Sequence, residues 1–193
     1  VSDLVANCGF KVFTDTVAKS GKVIGINVPG CAGYSRSQLD ELSPLAVTYG
    51  AKGLAYLALT SDGVKSPIAK FFAPEELNSL IQRFNAKTGD LILLIADKPQ
   101  TALTAMGQMR LEFGRRLKLI PEGTFELLWV LNFPLLEYDE DEKRYVAVHH
   151  PFTSPLQEDE DKLLTDPGSV RANSYDLVLN GVELGGGSLR IYR

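Results

Sequence analysis

The sequence predicts an α+β fold in two parts, a two-layer α/β module over residues 1–121 and an antiparallel, strand-rich part over residues 122–193. Three observations carry this expectation. Strand-like apolar runs alternate with helical periodicity as far as Pro121, strands and acidic loops follow it, and the charge balance reverses near the same place. Residues 1–122 hold 14 Lys+Arg against 11 Asp+Glu, a balance of +3, whereas residues 123–193 hold 6 against 13, a balance of −7.

Lys22 to Val28 (KVIGINV) is β-branched and bounded by Gly21 and Pro29-Gly30, which marks a strand. A helix follows, with Ser35 or Ser37 as cap, Leu39, Leu42 and Leu45-Ala46 at helical spacing, Pro44 as a candidate kink and Gly50 as the stop. Gly53 to Thr60 (GLAYLALT) reads as a strand running into a turn at Ser61-Asp62-Gly63, and Val64 to Phe72, broken by Pro67, as an edge strand or loop. Pro74 opens a helix through Asn85, with Glu75 and Glu76 at its positive end. Leu91 to Ala96 (LILLIA) is an apolar run of strand length, and Thr101 to Leu119 is a long helix. Beyond Pro121, Phe125 to Phe133 (FELLWVLNF) is a strand, with Arg144 to Val148 (RYVAV) expected as its hairpin partner across the acidic Asp139 to Glu142 turn. Gln157 to Leu164 suits one or two helical turns. Tyr175 to Leu179, Asn180-Gly181 and a second strand through Arg190 spell a hairpin with a two-residue type I′ turn.

With 45% hydrophobic and 23% charged residues the chain has a core to bury and is not disordered; its net charge of −4 argues against coating nucleic acid by charge alone. Cys8 and Cys31, the two cysteines, share no metal-binding or redox spacing and read as small core residues. No apolar run approaches the ~20 residues that cross a bilayer, so a cytoplasmic protein without membrane contact is expected. The abrupt ends, Val1 and a strand-like SLRIYR, suggest an excised piece.

The last hairpin is where the residues suggest chemistry. With Asn180-Gly181 as its loop, Leu179 faces Val182, Val178 faces Glu183 and Asp176 faces Gly185, so the Asp176 and Glu183 carboxylates share one face. Such a pair beside glycines suits Mg²⁺ with substrate phosphates; two solvated acids on an ordinary hairpin is the plainer alternative. Gly185-Gly186-Gly187 inside a strand calls for a reason, either a bulge or a close approach. Glu183 and Arg190 differ by seven positions, so an unbroken strand would point them to opposite faces, and a bulge at Gly185 to Gly187 would shift the register and put them on one. His149 and His150, the only histidines, are adjacent at the end of a strand, so one is expected to face a pocket and the other to pack behind it. Neither zinc nor serine-hydrolase spacing accompanies them.

HHPFTSP at His149 to Pro155, followed by YDLVLNGVELGGGSLRIYR from Tyr175 to Arg193, resembles the catalytic domain of bacterial aspartyl-tRNA synthetases, a class II family. Upstream, INVPG at Ile26 to Gly30, YGAKGLAYL at Tyr49 to Leu57, KSPIAKF at Lys65 to Phe71 and GDLILLIADKP at Gly89 to Pro99 resemble the GAD domain inserted into it. The resemblance implies a GAD-type module at residues 1–121 and part of a class II catalytic sheet at 122–193. It implies that His149 and Arg190 contact the substrate L-aspartate, that Glu183 meets ATP and its Mg²⁺ with Asp176 as second acid, and that His150, Gly185, Gly186, Gly187 and Ser188 line the pocket. The parent would be a homodimer that joins aspartate to tRNA by way of an adenylate. Arg190 would select aspartate, since a guanidinium fork finds donors instead of acceptors on an asparagine amide. No segment resembles the class II arginine motifs or an anticodon-binding OB-fold, so these residues alone are expected to be inactive. The alternative is a non-catalytic GAD module, as in tRNA-dependent amidotransferase subunits, with Lys11, Lys19, Lys22, Arg115, Arg116 and Lys118 as a possible tRNA-contact face.

Overall fold

The computed structural model describes residues 1–192; Arg193, the end of the matched stretch, lies outside them. The chain forms two compact units, Val1–Ile120 and a second beginning at Pro121.

The first unit is built on a four-stranded antiparallel sheet of β1 (Lys22–Val28), β2 (Ala55–Thr60), β3 (Gly63–Lys65) and β4 (Leu91–Asp97), in the order β1-β4-β2-β3. The LILLIA run becomes β4, an inner strand paired with β1 along its full length on one edge and with β2 on the other. Successive side chains leave a strand on opposite faces, and both faces of β4 are dry. Leu91, Leu93 and Ile95 pack with Leu42 and Ala46 of α3 (Arg36–Thr48) and with Ala105, Met106 and Met109 of α5 (Pro99–Arg116). Ile92 and Leu94 pack on the other side with Val5 of α1 (Ser2–Val5), Phe13 of α2 (Lys11–Ala18) and Leu80 of α4 (Pro74–Arg83). The sheet is thus sandwiched, and the α+β module has three layers instead of the expected two. Helices of four and eight residues complete too few turns for an apolar period to show, which is why α1 and α2 are not legible in the sequence.

Local chemistry sets the helix starts. Ser35 caps α3 through a reciprocal pair: Gln38 N–H donates to Ser35 Oγ at 3.3 Å, and Ser35 N–H to Gln38 Oε1 at 2.8 Å. Pro44 sits inside that helix without ending it. Pro99 opens α5 two residues earlier than the sequence suggests, in the first-turn position where a missing N–H costs nothing. Both cysteines are buried free thiols, and burial pushes the Cys8 thiol up.

The second unit holds a three-stranded antiparallel sheet, β5 (Leu127–Leu131), β8 (Ser174–Leu179) and β9 (Val182–Ser188), with β8 in the middle, and a separate hairpin of β6 (Leu136–Asp139) and β7 (Arg144–Ala147). RYVAV therefore pairs with Leu136–Asp139 and not with Phe125–Phe133, whose partner is β8. Pro134 separates β5 from β6, and a strand of four residues is all the acidic turn needs on its near side. Residues Gln157–Lys162 form a 3-10 helix. Its buried Asp159 accepts from Lys162 Nζ at 2.6 Å and from Arg171 Nε at 2.6 Å and N–H at 3.1 Å, which fastens the segment beside the start of β8. Among the described residues no helix is long and apolar enough to cross a membrane.

Candidate functional site

The turn between β8 and β9 is the expected one: Leu179 pairs with Val182, and Asn180 and Gly181 take φ of 49° and 82°, the two positive values a type I′ turn requires. Asn180 is anchored as well, since its Oδ1 accepts from Glu126 N–H at 2.8 Å and its Nδ2 donates to Thr124 O at 2.8 Å.

The register then slips once. Val178 pairs with Glu183, but Leu177 pairs with Gly185, so Leu184 is the extra residue of a bulge. The bulge lies just before the glycines and not within them, and Asp176 faces Gly186 instead of Gly185. Its effect on parity is to put Glu183 and the residues beyond the glycines on one side of the strand. Opposed residues share a face, so Glu183 joins Val178 and Asp176, and Gly186 and Ser188 follow on the same side with Arg190 two residues further on. Gly185, opposite Leu177, goes to the other face, and its expected place on the pocket wall is not where the register puts it.

The glycines have a different reason from the bulge. A Cβ on Gly186 would collide with the Asp176 carboxylate, and one on Gly187 would lie 2.7 Å from the Tyr175 hydroxyl, whereas one on Gly185 would meet nothing within 4 Å. Two side chains of β8 lie flat over β9, and only bare backbone lets them. Tyr175 is itself braced edge-on by Trp129, with ring centroids 5.7 Å apart.

Around this face is a cleft of about 180 Å³. Asp176, Glu183, Arg190 and Ser188 line it, with Gly186 and Gly187 as part of the floor. His149 and His150 both line it too. The expected opposition of the two histidines fails because β7 ends at Ala147 and the chain bends through 148–150, where strand alternation no longer applies. His149 packs edge-on against Phe133 at 5.0 Å between ring centroids. His150 Nδ1 accepts from Phe152 N–H at 3.1 Å, so its ring proton belongs on Nε2.

The electrostatic arrangement is open. Among the described residues, Asp176 and Glu183 have no ion-pair or hydrogen-bond partner, and Arg190 has no carboxylate partner; its Nη1 donates instead to the hydroxyl Oγ1 of Thr153 at 3.3 Å. A cation and two anions thus border one small cleft without neutralising one another. No group of three or more His, Cys, Asp or Glu side chains that could hold a metal occurs among the described residues. Two carboxylates are nonetheless the usual protein share for Mg²⁺, which takes its remaining oxygens from water and substrate phosphates.

Sequence reasoning missed two residues here. Ser174 opposes Ser188 on the cleft wall, and its Oγ is buried without a partner. Thr153, 3% exposed, is brought against Arg190 by a bridge between the two segments. No local pattern announces either, because both owe their position to pairing across distant stretches. Of the basic candidates in the first unit, Arg115 and Arg116 are held by Glu112, at 3.3 and 2.8 Å.

Residues 13–106 match the GAD domain family. All 193 residues align with curated relatives: 60% identity to the aspartate–tRNA(Asp/Asn) ligase of Moorella thermoacetica, 54% to that of Heliobacterium modesticaldum, and 55% to the aspartate–tRNA ligase of Clostridium perfringens. The chain spans 32% of the length of each, about a third of the relatives it matches.

Proposed function

We propose that this chain, which carries a GAD domain and is similar throughout to about a third of bacterial aspartate–tRNA ligases, supplies the aspartate-binding wall and the metal- and ATP-facing acids of such a ligase. The parent reaction would condense aspartate with ATP to aspartyl-adenylate, releasing pyrophosphate, and pass the aspartyl group to the terminal adenosine of tRNA. One observation carries the reading: among the described residues, Arg190 stands in a cleft without a carboxylate partner, on the same wall as two acids that are equally unpaired.

An unpaired guanidinium is a fork of donors waiting for two acceptor oxygens, and a side-chain carboxylate of the substrate fits it bidentately. His149, braced against Phe133, would contact the same substrate. Asp176 and Glu183 would hold Mg²⁺, whose part is to offset the negative charge on the ATP phosphates. The bare backbone at Gly186 lets the Asp176 carboxylate lie across β9 at the edge of the same cleft. Ligand and cofactor identities, tRNA as partner and a homodimeric, cytoplasmic parent all belong to this proposal.

The test is aspartate-dependent ATP–pyrophosphate exchange. The full-length ligase containing this segment is expected to catalyse it and Arg190→Ala to lose it by at least about a hundredfold, the scale of a charge-assisted bidentate contact. The 193-residue chain alone is expected to show none above buffer. Exchange by the isolated chain would overturn the claim that residues outside it complete the site, and an Arg190→Ala enzyme with an unchanged KM for aspartate would overturn the assignment of the clamp.

A further inference from the structure

A guanidinium at the end of a long side chain selects a carboxylate only if its fork is held in one orientation. Among the described residues, Arg190 has one side-chain partner that holds it, the Thr153 hydroxyl at 3.3 Å, and that hydroxyl lies 3.3 Å from the Ser188 Oγ. We infer that Thr153 is the positioning residue of this site: it orients the Arg190 guanidinium and, through Ser188, turns a second donor towards the substrate's side-chain carboxylate. This inference rests on the proposed role of Arg190 in binding aspartate.

The donor inventory fixes the first link of the chain, and the charge on Arg190 sets the second. Arginine has five N–H donors and no acceptor, so Thr153 Oγ1 must accept from Arg190. The threonine has one hydrogen of its own, and the positive charge next to it polarises that O–H towards the Ser188 oxygen. Ser188 then keeps its hydrogen for the cleft, which it lines. Arg190 and Ser188 both present donors to the ligand. A carboxylate accepts from both; the NH₂ of an amide would set donor against donor and leave one of them unpaired, which is how a polar site rejects an analogue.

Thr153 is built to hold this position. It is 3% exposed, its N–H donates to His150 O at 2.9 Å, and its β-branched side chain is stiff at χ1. Residues on either side zip it to the strand that bears Arg190: Ser154 N–H donates to Leu189 O at 2.9 Å, and Ile191 N–H to Phe152 O at 2.8 Å. The turn that delivers His149 and His150 to the cleft therefore also fixes the arginine opposite them.

The experiment compares Thr153→Val, which keeps the shape and removes the hydroxyl, with Thr153→Ser, which restores it, in the full-length ligase. Thr153→Val is expected to raise the KM for aspartate about tenfold, leave the KM for ATP unchanged, and narrow the preference for aspartate over asparagine. Thr153→Ser should return the KM for aspartate to within about threefold of wild type, a fraction of that same tenfold scale. Ser188→Ala reads the relay from its other end, and its effect on the KM for aspartate should largely vanish in the Thr153→Val background, since members of one network are not additive. An unchanged KM for aspartate in Thr153→Val, an equal rise for both substrates, or additive effects with Ser188→Ala would overturn the inference while leaving the proposed function intact. A wild-type enzyme without aspartate-dependent exchange would overturn the proposed function itself.

Discussion

The two units solve the problem of burying apolar residues in opposite ways. In the first, a central strand is dry on both faces and helices close each side, so that Leu91, Ile92, Leu93, Leu94 and Ile95 are all 0% exposed. In the second, the buried apolar cluster is Leu135, Val170 and Ala172, while Leu127, Leu128, Trp129 and Leu131 of β5 and Val182 and Leu184 of β9 are more than half exposed. Consecutive exposed apolar residues on one strand mean that neither face of that strand is covered. The first unit carries its own core. The second carries the proposed site on a sheet whose apolar faces and edges are left uncovered among the described residues.

The largest expected effect of this contrast is the fate of each unit expressed alone. Residues 1–120 should unfold cooperatively and survive limited proteolysis as one fragment. Residues 121–193 alone should show no cooperative transition, since a unit below about 70–80 residues with so few buried side chains rarely supplies more than ~3–5 kcal/mol. Preferential cleavage inside residues 91–96 of the first unit, or a sharp thermal transition of the second, would break the comparison.

At the scale of single residues, Leu93→Ala removes a side chain from the centre of a dry cluster and should cost about 2–5 kcal/mol in chemical denaturation of residues 1–120. A fully packed core leaves no room for collapse into the cavity. A change below about 1 kcal/mol would mean that the two-sided packing of β4 matters less than its burial implies.

Within the second unit the three glycines are not equivalent. Gly186→Ala must displace the Asp176 carboxylate and should cost about 1–3 kcal/mol, the range for forcing a methyl into occupied space. Gly185→Ala enters open space at a position without positive φ, so it should stay within about 1 kcal/mol of wild type or gain slightly. Thermal melts of the two variants in the full-length protein check this pair, and equal losses would mean that the glycines serve the bulge after all.

What the sequence made legible was local. A serine cap at Ser35 or Ser37, the Asn180-Gly181 turn and the apolar run of β4 are each encoded within a few residues; the structure reproduces the turn and the run and takes Ser35 as the cap. The parity argument from Glu183 to Arg190 also held, because alternation is a property of any strand. Its location did not: the glycines drew the bulge towards themselves in the sequence, but their lack of side chains serves the cross-strand approach of Asp176 and Tyr175. Thr153, Ser174 and the joint placement of both histidines depend on which distant segments pair and where a strand stops. No window of the sequence contains that information.

The last effect disappears altogether at neutral pH. Asp159 is 1% exposed, and the Arg171 guanidinium, with Lys162 after it, holds its carboxyl well below the usual carboxylate range. A depressed carboxyl stabilises the folded form at every pH above its unfolded value, near ~3.9, and loses that contribution as pH falls through this value towards the folded one. The contact should therefore be intact at pH 7 and weaken only below about pH 4. It joins the 3-10 helix at residues 157–162 to Arg171, so the segment that frees itself first should be 157–171. Pepsin, which cuts in this range, reads it directly: cleavage within 157–171 of the full-length protein, relative to an unstructured control peptide, should accelerate as pH drops from about 5 to 2. In Asp159→Asn the same ratio should be high and flat, because the neutral amide has no charge left to titrate. A flat ratio in the wild type would show that this ion network, unlike the core of the first unit, contributes nothing to holding its part of the fold.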